Sequence, residues 1–396
     1  MISATIQTYR NAYAGLSRST WLLSLIMLIN RSGTMVVPFM TIYLTSPAMG
    51  YSIGQAGIVF GLFGAGAFLG AWCGGKLTDK IGFYPVQLIT LAGGGILFMA
   101  LGQMKSYSLI CLFTFLVSFV NEAFRPANST AIAYYSRPEN RTRSYALNRL
   151  AINLGWAVGS ALGGVLAHIS YELLFWVDGI TNIGAAILML LLIKPVKPVV
   201  KETQEETGNA VPAHRDKVFM RFIFVTFLFA SCFFQLFSNL SAYFRNELKL
   251  SEPFIGALMA LNGILIALIE MALVYRLEGR RRNLSYITVG VALCGLAFFT
   301  LNIPAPALII APMMIITVTF GEMLSMPFMN SYWIGRAHHS NRGQYAALYT
   351  MAWSAAQTLG PMLGAQLANT AGFMPLWWVL GAICLLAAFC FRQLQK

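Results

Sequence analysis

In a chain of 396 residues, 57% are hydrophobic and only 10% charged, where a soluble domain carries about 25% charge. A water-soluble core cannot absorb that much apolar surface, so the solvent is lipid and the class is integral membrane protein. The net charge of +13 sits in short segments between apolar runs, which excludes a nucleic-acid partner and fits loops on one side of a membrane.

A membrane-crossing helix needs about 20 apolar residues. Twelve such spans follow in chain order: Thr20–Leu44, Gly54–Gly75, Pro85–Gln103, Leu109–Tyr135, Ser144–His168, Leu173–Ile193, Val218–Asn246, Pro253–Tyr275, Ser285–Leu301, Pro306–Ile334, Gly343–Thr370 and Leu376–Arg392. They must be helical, because lipid offers no partner to an open backbone. The first span is too long for a cleaved leader and lacks a small-residue cleavage site, so it is expected to stay. The six cysteines all lie in apolar runs and read as packing residues, not as metal ligands or disulfides.

The predicted fold class is therefore an all-α membrane protein with twelve transmembrane helices in two pseudo-symmetric six-helix bundles. The longest polar stretch, Lys194 to Lys217, holds three prolines and divides the spans six against six. It reads as a linker (194–217) between an N-terminal bundle (1–193) and a C-terminal bundle (218–396). The two halves coincide when one is shifted by about 200 positions. Pro126 then meets Pro327, Asn140-Arg141 meets Asn341-Arg342, and Gly159, Leu162-Gly163 and Leu166-Ala167 meet Gly360, Leu363-Gly364 and Leu367-Ala368. Glu122 and Glu322 match with one residue less.

Basic residues mark the sides. Arg10, Arg18, Lys76, Lys80, Arg137, Arg141, Arg143, the linker bases, Arg276, Arg280 to Arg282, Arg336, Arg342, Arg392 and Lys396 share one side; Lys105, Arg245 and Lys249 face the other. The bias places both termini in the cytoplasm and the protein in the cytoplasmic (inner) membrane.

The stretch GGKLTDKIGF, Gly74 to Phe83, is a polar island between the second and third spans. It fits G-x-L-x-D-[RK]-x-G through Gly75, Leu77, Asp79, Lys80 and Gly82, and reads as a tight turn with an acid where the charge bias calls for bases. The chain here resembles the major facilitator superfamily, and within it the bacterial drug/proton antiporters. That resemblance implies two six-helix bundles, a central linker, and a gating role for Gly75, Asp79, Lys80 and Gly82. Lys80 stands where arginine is usual, and RLEGRRRN, the matching stretch from Arg276, lacks the aspartate. A fifth-span signature of the antiporter branch is present as Gly155, Gly159, Gly163 and Gly164, with Ser160 in place of proline; GPMLG, Gly360 to Gly364, keeps proline in the mirror position. Small residues at this spacing also serve close helix packing. The GEMLSMP of the tenth span is similar to a glutamate site in proton-coupled peptide transporters.

Ionisable residues inside a span cost roughly 3 kcal/mol or more and face a cavity or a partner. Arg31, Glu122, Arg125, Arg149, Asp178, Glu270 and Glu322 form this set, with Arg149, Asp178 and Glu270 nearer the span ends. Glu122 and Arg125 are one turn apart and can pair. Four polar-aromatic stripes are expected to meet in a central cavity: Arg149, Asn153 and Trp156; Gln235, Asn239 and Tyr243; Glu322, Asn330 and Trp333; Tyr349, Trp353 and Gln357. With Arg31 and Arg125 these make up the substrate-cavity candidates, and each stripe alone can equally be an interhelical hydrogen-bond seam. A carboxyl in apolar surroundings holds a proton more readily than in water. Glu322, with no arginine near it in its own helix, is the first proton-carrying candidate, and Glu122 the second. His338 and His339 read as surface residues.

No GxxxxGK[ST] loop is present, so ATP is not the direct driver. No HExxH or GxSxG constellation points to an enzyme, and no metal or other cofactor is called for. The expected function is proton-coupled alternating-access export of amphipathic small molecules, with proton-coupled uptake of a peptide, sugar or organic anion as the alternative. The expected partners are a small-molecule substrate, protons and the bilayer, with the chain working as a monomer.

Overall fold

A computed structural model describes residues 15–137, 141–195, 212–277, 279–337 and 342–395. Asn140, Asn341, His338, His339, Arg10, Lys396 and most of the expected linker lie outside the described residues. Most of the described chain is helix: α1 (Arg18–Ser32), α2 (Val36–Leu44), α3 (Ile53–Ile81), α4 (Phe83–Gly102), α5 (Tyr107–Tyr135), α6 (Arg141–Ile169), α7 (Tyr171–Leu192), α8 (Lys217–Phe233), α9 (Asn239–Asn246), α10 (Glu252–Leu277), α11 (Asn283–Thr300), α12 (Ala307–Arg336), α13 (Arg342–Ala371) and α14 (Phe373–Gln393). Helix starts carry local caps. Ser17 accepts from the N–H of Thr20, and Ser52 and Gln55 close a reciprocal capping box at α3.

Two of the expected spans are broken. The first stops at Ser32 and restarts at Val36, and Gly33 in the break passes so close to α7 that a Cβ there would fall 1.8 Å from Thr181 Oγ1. The seventh, expected to run unbroken from Val218 to Asn246, passes through a 3₁₀ turn at Phe234–Phe237 before α9. The two breaks fall at matching places in the two halves. Each exposes backbone groups that neighbouring side chains must satisfy, since lipid cannot.

The polar island is corrected as well. The second span was expected to end near Gly75, but α3 runs on to Ile81, so Gly75, Asp79 and Lys80 lie on its last turns and only Gly82 stands between helices. At 29 residues α3 is about 44 Å long, beyond the roughly 30 Å hydrocarbon layer, so its polar end stays helical outside the lipid. Gly82 turns the chain at φ 88°, a conformation strained for any other residue.

Eleven of these segments are long and apolar enough to cross a membrane. The twelfth, α13, has 30 residues but a more polar sequence; it packs on α3, α8, α12 and α14. In chain order the helices divide into two groups, α1 to α7 and α8 to α14, with extensive contacts both within and between them. The groups meet where α3 lies along α13, α6 along α10, and α2 against α9.

These interfaces need glycine. A Cβ on Gly256 of α10 would fall 2.4 Å from the carbonyl of Ser160, and one on Gly164 would fall 2.5 Å from the carbonyl of Glu252. Gly155, Gly159 and Gly163 press on α1 and α2 at Arg31, Ser32 and Met35. The antiporter-like glycines of the fifth span are thus packing positions here.

Candidate functional site

Between the two groups lies a cavity of about 250 Å³. Its wall from the first group carries Arg31, Thr34, Phe60, Phe63, Glu122, Arg125, Asn153 and Trp156; the second contributes Phe234, Phe237, Asn262, Glu322, Gln357 and Pro361. The breaks after α1 and α8 therefore border it. So do Pro361 within α13 and the equivalent-position carboxylates Glu122 and Glu322.

The charges are arranged in distinct ways. Arg125 Nη2 lies 2.9 Å from Glu122 Oε2, a pair within one helical turn. Glu322 Oε2 accepts a hydrogen bond from Asn262 Nδ2 at 3.2 Å, and Asn262 also reaches Thr319 Oγ1 at 2.9 Å. No cation lies within ion-pair distance of Glu322 among the described residues. Arg31 lines the cavity with its Nε buried and without a hydrogen-bond partner.

One end of the interface is sealed. Buried Glu252, at the start of α10, accepts from Tyr171 Oη at 3.0 Å and lies 3.0 Å from Arg245 Nη2 and 3.5 Å from His168 Nδ1. Tyr171 and His168 belong to the first group of helices, Arg245 to the second. Gln366 Nε2 adds a bond to the carbonyl of Gly54 across α3 and α13 at 3.0 Å. Toward the other end Arg149 Nη2 meets Glu270 Oε1 at 2.6 Å, joining α6 to α10. Arg125 and Arg149 are 64% and 48% exposed, so the site is accessible beside them.

Seven expected residues line the cavity: Glu122, Glu322, Arg31, Arg125, Asn153, Trp156 and Gln357. Arg149 stands beside it, held by Glu270. The others serve elsewhere. Gln235 donates to the carbonyl of Gly360, and Asn239 donates to Gln235 and to the carbonyl of Pro361, so this pair stitches the broken seventh span to the proline region of α13. Tyr243 donates to the carbonyl of Leu301 and packs on Phe373 and Trp377, away from the cavity. Trp333 donates to Asn330 and stacks near Tyr349. Trp353 sits among Phe229, Phe233 and Phe234. The first stripe stays together at the cavity, the third and fourth reach it through Glu322 and Gln357, and the 3₁₀ turn interrupts the Gln235–Tyr243 spacing.

Sequence reasoning missed Asn262, whose sole signal was an amide in an apolar helix, and the aromatic wall of Phe60, Phe63, Phe234 and Phe237, which has no contrast in an apolar span. It also gave no partner to Arg149, although Glu270 was in view. Asp79 is exposed on α3, and Lys76 lies over the ring of Trp72 at 3.7 Å.

Two groups of helices around a central cavity lined by opposite charges define a membrane transporter. The Major Facilitator Superfamily profile matches residues 20–358, and the chain belongs to that superfamily. It is 25% identical over 364 residues to the MFS-type transporter YttB of Bacillus subtilis, covering 91% of this chain and 90% of the relative. It is 20% identical over 327 residues to the class B tetracycline resistance protein of Escherichia coli, covering 80% and 79%. A quinolone resistance protein, NorA of Staphylococcus aureus, is 21% identical over 238 residues, covering 60% and 61%. Among solved structures, a POT family transporter in complex with 5-aminolevulinic acid superposes with a TM-score of 0.82 at 14% identity, covering 97% and 98%, which bears on the fold.

Proposed function

We propose that the protein is a proton-coupled secondary transporter that works by alternating access and exports amphipathic small molecules. Glu322 carries this reading. It is a carboxyl on a cavity wall between two helix groups, held by the neutral donor Asn262 and not by a cation. A carboxyl in that setting can take up a proton without breaking an ion pair. Its charge then changes where solute binds, which is the coupling a proton-driven carrier needs. Glu122, already paired with Arg125, is the secondary carrier. The seal at Glu252 and the opening toward Arg125 fit one of two alternating states, with Asp79 and Lys80 on α3 free to clasp the facing group in the other. Export follows from relatives whose names record tetracycline and quinolone resistance. Residues 1–193 and 218–396 would act as the two moving bundles, joined by 194–217. The basic side would face the cytoplasm, with both termini there and the chain monomeric. Uptake remains the second reading, favoured by Arg31 and by the likeness in fold to a POT family transporter.

The test uses everted membrane vesicles with a respiration-driven pH gradient reported by an acridine dye. Addition of an exported amphiphile should discharge part of the gradient in the wild type and not in Glu322→Gln. An unchanged proton response in the variant would remove Glu322 from the mechanism, and a response only to solutes supporting growth would favour uptake.

A further inference from the structure

Arg31 is a cation on the cavity wall that forms no ion pair among the described residues. Its root lies at a close approach of two helices, since a Cβ on Gly155 of α6 would fall 2.6 Å from Arg31 Cβ. Its Nε is enclosed without an acceptor, and no carboxylate lies within ion-pair distance of its guanidinium among the described residues. The acid whose charge reaches it, Glu122, is itself ion-paired with Arg125 at 2.9 Å. Glu322, on the second group's wall, is bonded to Asn262. A guanidinium keeps its proton, so it cannot escape this burial by neutralising. A cation without an ion pair deep in a membrane protein marks a ligand position, since an isolated buried charge is costly. Beside it on the wall stand the rings of Phe60, Phe63, Trp156 and Phe237.

We infer that the cavity selects amphipathic organic acids, whose carboxylate binds Arg31 while the apolar portion lies against the Phe60, Phe63, Trp156 and Phe237 wall. The inference rests on the reading of this cavity as the transported solute's site. The planar guanidinium fork matches a carboxylate with two parallel hydrogen bonds, which lysine cannot reproduce. A neutral isostere of the same shape keeps the aromatic contact and forfeits the ionic one.

The experiment is fluorescence binding to the purified full chain in detergent, with dansylglycine and dansylglycinamide as probes and 2-naphthoate and 2-naphthamide as competitors. The acids should bind about tenfold or more tighter than the amides, the range of a charge-assisted hydrogen bond. Arg31→Gln should bring the acids down to the level of the amides and leave the amides unchanged, which also shows that the variant is folded. Arg31→Lys should fall between. Equal binding of acid and amide by the wild type, no binding of either, or a preference that survives Arg31→Gln overturns the inference. Trp156→Ala separates the two layers. It should weaken acid and amide alike; if both bind and neither is affected, the cavity is not the binding site and the functional reading fails with it. If both weaken but the acid preference is absent, only the assignment to organic acids fails.

Discussion

Asp178, in the interior of α7, accepts the backbone N–H of Met35 at 2.9 Å and that of Val36 at 3.0 Å. The carboxylate thus caps the first turn of α2 from another helix, where the break after α1 leaves donors that lipid cannot satisfy. Asn30 and Asn182 brace the same contact at 2.8 Å. Asp178 lies fully buried, not near a span end as its sequence position implies. Asp178→Ala strands two buried donors, each worth about 1–3 kcal/mol, and should lower the thermal midpoint in detergent by many degrees. Asp178→Asn keeps one acceptor and should lose about half as much. A midpoint unchanged in the alanine variant would show that the break does not depend on this cap.

Close approach of α6 and α10 should be essential to transport. Gly256→Leu places a side chain where even a Cβ meets the carbonyl of Ser160 at 2.4 Å. The seal beside Glu252 then cannot close, and vesicle transport should fall to background while the protein still elutes as a single species on size exclusion. Gly75→Ala is the contrast. Its Cβ would meet open space on a helix, so transport should persist and stability rise by about 0.5–1 kcal/mol. Loss of transport in Gly75→Ala would give this glycine a role in the other conformation.

The Arg149–Glu270 pair should behave as a coupled unit. Glu270 is 6% exposed and Arg149 48%, so removing Arg149 leaves a buried carboxylate without its cation. Arg149→Ala should therefore destabilise more than the double variant Arg149→Ala/Glu270→Gln. A double-mutant cycle read from thermal or urea unfolding should return a coupling of about 1 kcal/mol, between exposed and buried pairs. Additive effects would show that the pair is incidental.

A pH signature is expected at the start of α8. Asp216 receives Val218 and Phe219 N–H groups, Arg336 and the Tyr345 hydroxyl. Burial pushes its carboxyl up, but the bonds from Arg336, Phe219 and Tyr345 outweigh that and hold it down at about 2. Because the folded value lies below the unfolded value of about 3.9, its contribution is complete above pH 4 and is lost as pH falls toward 2. The difference in thermal midpoint between wild type and Asp216→Asn should be constant from pH 5 to about pH 8 and shrink below pH 4. A difference that grows on acidification would contradict the assignment.

Much of the architecture was legible because lipid imposes one rule on every span. Apolar runs long enough to cross must be helices, and the repeated prolines and glutamates exposed the two halves. Glu122 with Arg125 was legible because both partners lie on one turn. Asn262 beside Glu322, Glu270 beside Arg149 and Asp178 beneath Met35 were not, since each pair joins different helices and no spacing along the chain encodes the rotation of one helix against another. The stripes through Gln235 and Tyr349 looked like cavity walls because periodicity reports a shared face but not what that face meets.

The amino-acid sequence by itself determined the solvent, the helices, their pairing into halves and the residues whose charge had to be answered within the membrane. The tertiary structure alone decided which charges answer one another, where the first and seventh spans break, and that Arg31 is left facing the cavity. The first set follows from the cost of exposing polar backbone to lipid, which acts locally. The second depends on contacts between helices far apart in the chain, which packing alone creates.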